Sequence, residues 1–94
     1  MEIPNFLKST YNMLLTTFPN GIEEDDYWCV LYLLYDYMAD ENLALVMSFL
    51  TNKPIEMIVN DIYKAYQMAF DSILLNEIMM RLDKHGFEEW KTLD

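Results

Sequence analysis

Residues 27–38 read Tyr-Trp-Cys-Val-Leu-Tyr-Leu-Leu-Tyr-Asp-Tyr-Met and hold one charge, Asp36, in twelve positions. On a helix turning about 100° per residue, Tyr27, Val30, Leu31, Leu34 and Met38 gather on one side. Asp36 falls opposite, in line with Asp25 and Asp40, and shares that side with Cys29, Tyr32 and Leu33. A helix apolar nearly all round is a buried one, and so short a run cannot cross a bilayer. The stretch predicts a central helix over about Glu24–Ala39 in an all-α, five-helix bundle.

The segments on either side support that reading. Leu7, Tyr11, Leu14, Leu15 and Phe18 recur at helical spacing, which predicts a helix over about Pro4–Thr17. Phe18-Pro19-Asn20-Gly21-Ile22 ends it, because Pro19 disfavours helix at Phe18 and the Pro and Gly positions fit a type I turn. Glu23-Glu24-Asp25-Asp26 then place acids at the positive end of the central helix. Asp40 is the expected cap of a third helix, with Leu43, Val46, Met47 and Leu50 inward and an end near Thr51-Asn52. Pro54 opens a fourth, with Ile55, Ile58, Val59, Ile62 and Tyr66 on one face and Asn60, Asp61 and Lys64 turned away. Asp71 caps a fifth, whose inward residues are Leu74 or Leu75, Ile78 and Leu82. Gly86 closes it in the left-handed conformation, Phe87 and Trp90 fold back over the core, and Lys91–Asp94 fray. No linker or repeat divides residues 1–94, so a single helical domain is expected.

Composition narrows the function classes. A hydrophobic fraction of 53% is enough to support one core in 94 residues. Sixteen acids against six bases give a net charge of −10. Phosphate backbones require clustered lysine and arginine, so nucleic acid and anionic membrane surfaces are not expected partners. The lone Cys29 excludes an intramolecular disulfide framework. Met1-Glu2-Ile3-Pro4 has no basic n-region of a secretory signal, which points to a cytoplasmic setting.

The residues for chemistry are sparse. A nucleophilic dyad would have to pair Cys29, inside the most buried stretch, with the only histidine, His85, beside the helix-ending glycine. Zinc needs clustered Cys and His, and the chain has one of each. Asp36 and Asp40, four apart on one helix face, could share a cation, but such a pair is more often a solvated stripe. No phosphate-binding or dinucleotide loop occurs. No cofactor, metal or catalytic residue is expected, and the chain reads as a non-enzyme.

Aromatic density is the remaining signal. Tyr27, Trp28, Tyr32, Tyr35 and Tyr37 fall close together, joined by Tyr63 and Tyr66. Tyrosines pack their rings while needing a partner for the hydroxyl, and aromatic and Met residues are enriched at interfaces. Core packing accounts for most of them. Trp28, Tyr32, Met79 and Met80 are the expected interaction surface.

The order of motifs Phe18-Pro19-Asn20-Gly21-Ile22, an apolar helix, Asp40-Glu41, Asp61-Ile62 and Arg81-Leu82…Gly86-Phe87 resembles a bacterial family of small all-helical proteins, a domain-of-unknown-function group. That family shows aromatic-Pro-x-Gly-Val/Ile near its start and Arg-Leu…Gly-aromatic near its end. The central helix departs from its pattern, with more tyrosine and without its arginines. The resemblance implies an all-helical fold in a bacterial cytoplasm and transfers no catalytic residue.

Three functions are consistent with these features. The first is a non-enzymatic protein-interaction module, self-associating as a homodimer or binding another protein. The second is an acidic, immunity-type inhibitor in a basic cleft, although the carboxylates are scattered over several helices. The third is a small enzyme with a pocket near Asp36 or His85.

Overall fold

The computed structural model describes residues 2–92 and is all-α. After a 3-10 turn at Asn5–Leu7 come α1 (Lys8–Thr17), α2 (Glu24–Leu34), a second 3-10 turn at Tyr35–Tyr37, α3 (Asp40–Thr51), α4 (Ile55–Ala65), α5 (Ser72–Lys84) and the short α6 (Phe87–Lys91). Among the described residues, no helix is long and apolar enough to cross a membrane.

The central stretch is buried as its composition requires. Tyr27, Cys29, Val30, Leu31, Leu33 and Leu34 are all core residues of α2. Each such aliphatic side chain contributes roughly 1.5–3 kcal/mol relative to staying in water. α2 packs most closely on α4 and α5, α3 packs on α4, and α1 spans α3 and α5. α4 and α5 are therefore its main neighbours.

α2 also ends at Leu34 rather than at the expected Ala39. Tyr35–Tyr37 tighten into a 3-10 turn, and Met38 is fully extended with φ −155° and ψ 156°. The two tyrosines of that turn reach opposite neighbours. Tyr35 packs 4.7 Å from Tyr66 beyond α4, whereas Tyr37 packs 5.9 Å from Phe87 on α6. Ring packing on two sides, which apolar periodicity does not register, fits the place where the helix stops.

Other expectations shift by a residue or a face. Ala39, not Asp40, is the cap of α3; Asp40 is its first helical residue and accepts from the Glu41 amide at 2.9 Å. In α1, Leu15 is exposed while Thr10, Met13 and Thr17 are buried beside Leu14. The two threonines tolerate burial because each is hydrogen-bonded: Thr10 Oγ1 accepts from Trp90 Nε1 at 2.8 Å, and Thr17 Oγ1 donates to the Met13 carbonyl at 2.7 Å. Ile55 of α4 and Tyr66 just after it are exposed, and Asp61 is buried rather than turned away. Its carboxylate accepts the Tyr27 hydroxyl at 2.7 Å, which gives a charge at that depth a donor.

The chain ends hold as expected up to α6. Asp71 caps α5, accepting from the Ile73 amide at 2.8 Å. Gly86, at φ +94°, turns the chain between α5 and α6 in a conformation that favours glycine. Phe87 is buried, and Trp90 stacks on it at 5.7 Å. Lys91 is anchored by Glu88 at 3.0 Å rather than frayed. Met1, Leu93 and Asp94 lie outside the described residues.

Candidate functional site: an aromatic and acidic surface beyond α2

Three tyrosine hydroxyls, each donating to an aspartate, tie α4 and the residue after it to the rest of the chain. Tyr27 of α2 donates to Asp61 at 2.7 Å, Tyr63 to Asp40 at 2.7 Å, and Tyr66 to Asp36 at 3.2 Å. The first bond is buried and the other two are at the surface. Tyr63 and Tyr66 follow from helix geometry: three residues apart, they share the flank of α4 that meets the chain between α2 and α3.

Around Tyr66 the rings form a continuous surface. Tyr35 lies 4.7 Å from it and Tyr32 lies 5.8 Å away, and Phe70 stands 4.9 Å from Tyr32. Tyr66 remains 51% exposed despite these contacts, and Tyr63, which is bonded to Asp40 rather than packed on these rings, is 50% exposed. Tyr32, Tyr35 and Phe70 are half-buried. Asp36 and Asp40 supply the carboxylates at the edge, with Glu41 next in sequence and exposed.

Beside the Tyr35–Tyr37 turn is a small cavity of about 170 Å³, with Tyr32, Asp36, Tyr37, Met79, Phe87 and Lys91 in its wall. Lys91 Nζ sits 4.9 Å from the Phe87 ring centre and 5.5 Å from that of Tyr37.

The four expected surface residues have different surroundings. Tyr32 lies within the ring surface and shares the small cavity with Met79. Trp28, one turn earlier on α2, is half-buried edge-on to Tyr27 at 5.3 Å, and its Nε1 donates to Glu24 at 3.3 Å. Met80 is 63% exposed, about 100° further round α5 than Met79. Tyr35, Tyr63 and Tyr66 stand out in the sequence as aromatics, with nothing local that joins them to Tyr32. The signal for joining them is the pair Asp36 and Asp40, one acceptor for each hydroxyl.

The candidate catalytic groups have different surroundings. Cys29 is fully buried, and burial first, then the charges of Asp26 and Asp25, push its thiol up, away from the reactive thiolate. His85 is exposed in a groove with Ser9, Asn12 and Glu89, while Asp36 borders a different cavity. Asp36 and Asp40 do not share one helix face, because the extended Met38 separates them. No group of three His, Cys, Asp or Glu side chains placed to hold a metal occurs among the described residues.

The tyrosine–aspartate bonds predict an alkaline transition. A phenol donating to a carboxylate is stabilised in its neutral form, so its folded pKa lies above the unfolded value of about 10. Tyr63 and Tyr66 are raised chiefly by their hydrogen bonds to Asp40 and Asp36. Tyr27 is raised much further, first by burial and then by Asp61. With raised folded values, this stabilisation is complete below about pH 10 and is lost as pH climbs through the folded pKa. Phenolate absorbance followed alongside circular dichroism should show Tyr27 ionising only as helix is lost. Tyr27→Phe should then remove one phenolate from that cooperative step. Unchanged amplitude there would contradict the assignment.

No protein-family model matches the chain, and neither a curated protein nor a solved structure matches it, so the likeness noted over Phe18–Phe87 stays an expectation.

Proposed function

We propose that this protein is a non-enzymatic protein-interaction module whose binding face is the ring surface of Tyr32, Tyr35, Tyr63 and Tyr66. The observation that carries the reading is the half exposure of Tyr66, 51%, within a set of rings already in mutual contact, with Tyr63, 50% exposed, three positions earlier and held by its hydroxyl bond to Asp40. Rings held by their neighbours lose little conformational entropy when a partner covers them, which is why tyrosine favours interfaces. The free, buried Cys29 suits a reducing compartment, and a cytoplasmic setting belongs to the same proposal.

The test is affinity capture with the wild-type chain and with Tyr66→Leu, which keeps an apolar side chain and removes the ring and hydroxyl. A partner bound by the first and lost by the second supports the reading. Equal capture by both would place the binding face elsewhere.

Self-association is a second reading, favoured by Ile73 and Met80, which are 68% and 63% exposed and seven positions apart on α5. That spacing puts them on one outward stripe. Sedimentation that stays monomeric across the micromolar range would remove it.

A further inference from the structure

Each cation that the fold brings onto a ring is also bound by a carboxylate. Lys53 Nζ is 3.8 Å from the Tyr27 ring centre and 3.3 Å from Glu24. Arg81 stacks 4.6 Å above Phe18, pairs with Asp26 at 3.5 Å and donates to the Thr17 carbonyl at 3.1 Å. Lys91 sits over Phe87 and pairs with Glu88 at 3.0 Å. The elements are the same in all three cases: an aromatic face, a carboxylate beside it, and a positive charge attracted to both.

The surface beyond α2 repeats the ring and the carboxylate without a cation from the described residues. Tyr66, packed on Tyr35 and 51% exposed, donates to Asp36, and Tyr63, 50% exposed, donates to Asp40. Tyr66 donates only to Oδ1 of Asp36, and each carboxylate oxygen can accept more than one bond. The nearby Lys91 lies across the small cavity and is already paired with Glu88. A net charge of −10 attracts a basic partner to the whole molecule, and this surface gives that attraction a place to dock.

We propose that the surface receives an arginine-bearing segment of a partner protein, its guanidinium stacked on Tyr66 and Tyr35 and hydrogen-bonded to Asp36, with a second basic side chain at Tyr63 and Asp40. Arginine fits better than lysine because its planar head meets a ring face and a carboxylate together. The Arg81–Phe18–Asp26 arrangement is the internal version of the same contact. This inference rests on the interaction reading and names the chemistry of the partner for that same face.

The test is fluorescence anisotropy of a labelled arginine–glycine repeat peptide, with lysine and citrulline counterparts, at low salt. Asp36→Asn combined with Asp40→Asn should weaken arginine-peptide binding about tenfold or more, as should Tyr66→Leu. Asp25→Asn combined with Glu56→Gln makes the same change in charge elsewhere and should shift affinity by less than about twofold. The citrulline peptide should not bind, and the lysine peptide should bind more weakly. Thermal melts of each variant establish that it is folded.

Equal weakening by the two charge pairs would reduce the effect to diffuse attraction and overturn the proposal. Equal binding of lysine or citrulline, or no binding of arginine, would do the same. Loss of peptide binding alongside intact Tyr66-dependent capture would leave the interaction reading standing and this inference discarded; failure of both would discard both.

Discussion

Tyr27→Ala is expected to cost about 3–5 kcal/mol of folding stability, the range for deleting a large buried ring. Tyr27 is 1% exposed at the start of α2, with Trp28 edge-on to it and Lys53 over its face. Its hydroxyl is the donor to the buried Asp61. The alanine variant therefore loses packing and leaves that carboxylate without its phenolic partner. Tyr27→Phe separates the two effects. It keeps the ring and strands the acceptor, which should cost about 1–3 kcal/mol. Against a typical domain stability of about 5–15 kcal/mol, the phenylalanine variant should fold and the alanine variant should be close to unfolding. Urea midpoints at unchanged slope measure both. A Tyr27→Phe midpoint equal to wild type would show that the bond to Asp61 contributes nothing.

Leu34→Ala is expected to cost about 2–5 kcal/mol, depending on how far the site collapses around the cavity. Leu34 is fully buried in the last turn of α2, immediately before the 3-10 turn that directs Tyr35 and Tyr37 apart. The large loss should coincide with the end of α2 and should not extend to the surface rings. Tyr66→Leu, half exposed on the same end of the molecule, should leave the melting midpoint nearly unchanged while abolishing partner capture. A small effect at Leu34 beside a large one at Tyr66 would reverse the assignment of core and surface.

The all-helical fold is legible in the sequence because the apolar run at Tyr27–Met38 allows no polar face, and because Pro19, Pro54, Asp71 and Gly86 act locally. Proline restricts its own backbone and its predecessor's, a capping carboxylate reaches the next turn, and glycine permits positive φ. Contacts distant in sequence are less legible. Asp61 lies between Asn60 and Ile62 and reads as a surface acid, yet its partner is 34 positions away on α2. The residues just after α2 pack on Tyr66 and Phe87, which are 31 and 50 positions on from Tyr35 and Tyr37.

The candidate surface is legible only in part, for the same reason. Tyr32 stands out as a ring on a mostly apolar helix. Tyr63 and Tyr66 join it through the packing of α3 and α2 against α4. Asp36 and Asp40 look like a pair because they are four apart, and the extended Met38 gives each its own tyrosine instead. Trp28 and Met80 are both apolar in sequence, but Trp28 packs edge-on to Tyr27 whereas Met80 is 63% exposed.

Native-state hydrogen exchange tests the central role of α2 most directly. The backbone amides of Val30, Leu31, Leu33 and Leu34, whose side chains are buried, should exchange only through global unfolding. The amides of the short α6 should open at lower free energy. Exchange of the α2 amides as fast as those of α6 would contradict the placement of this helix at the centre of the fold.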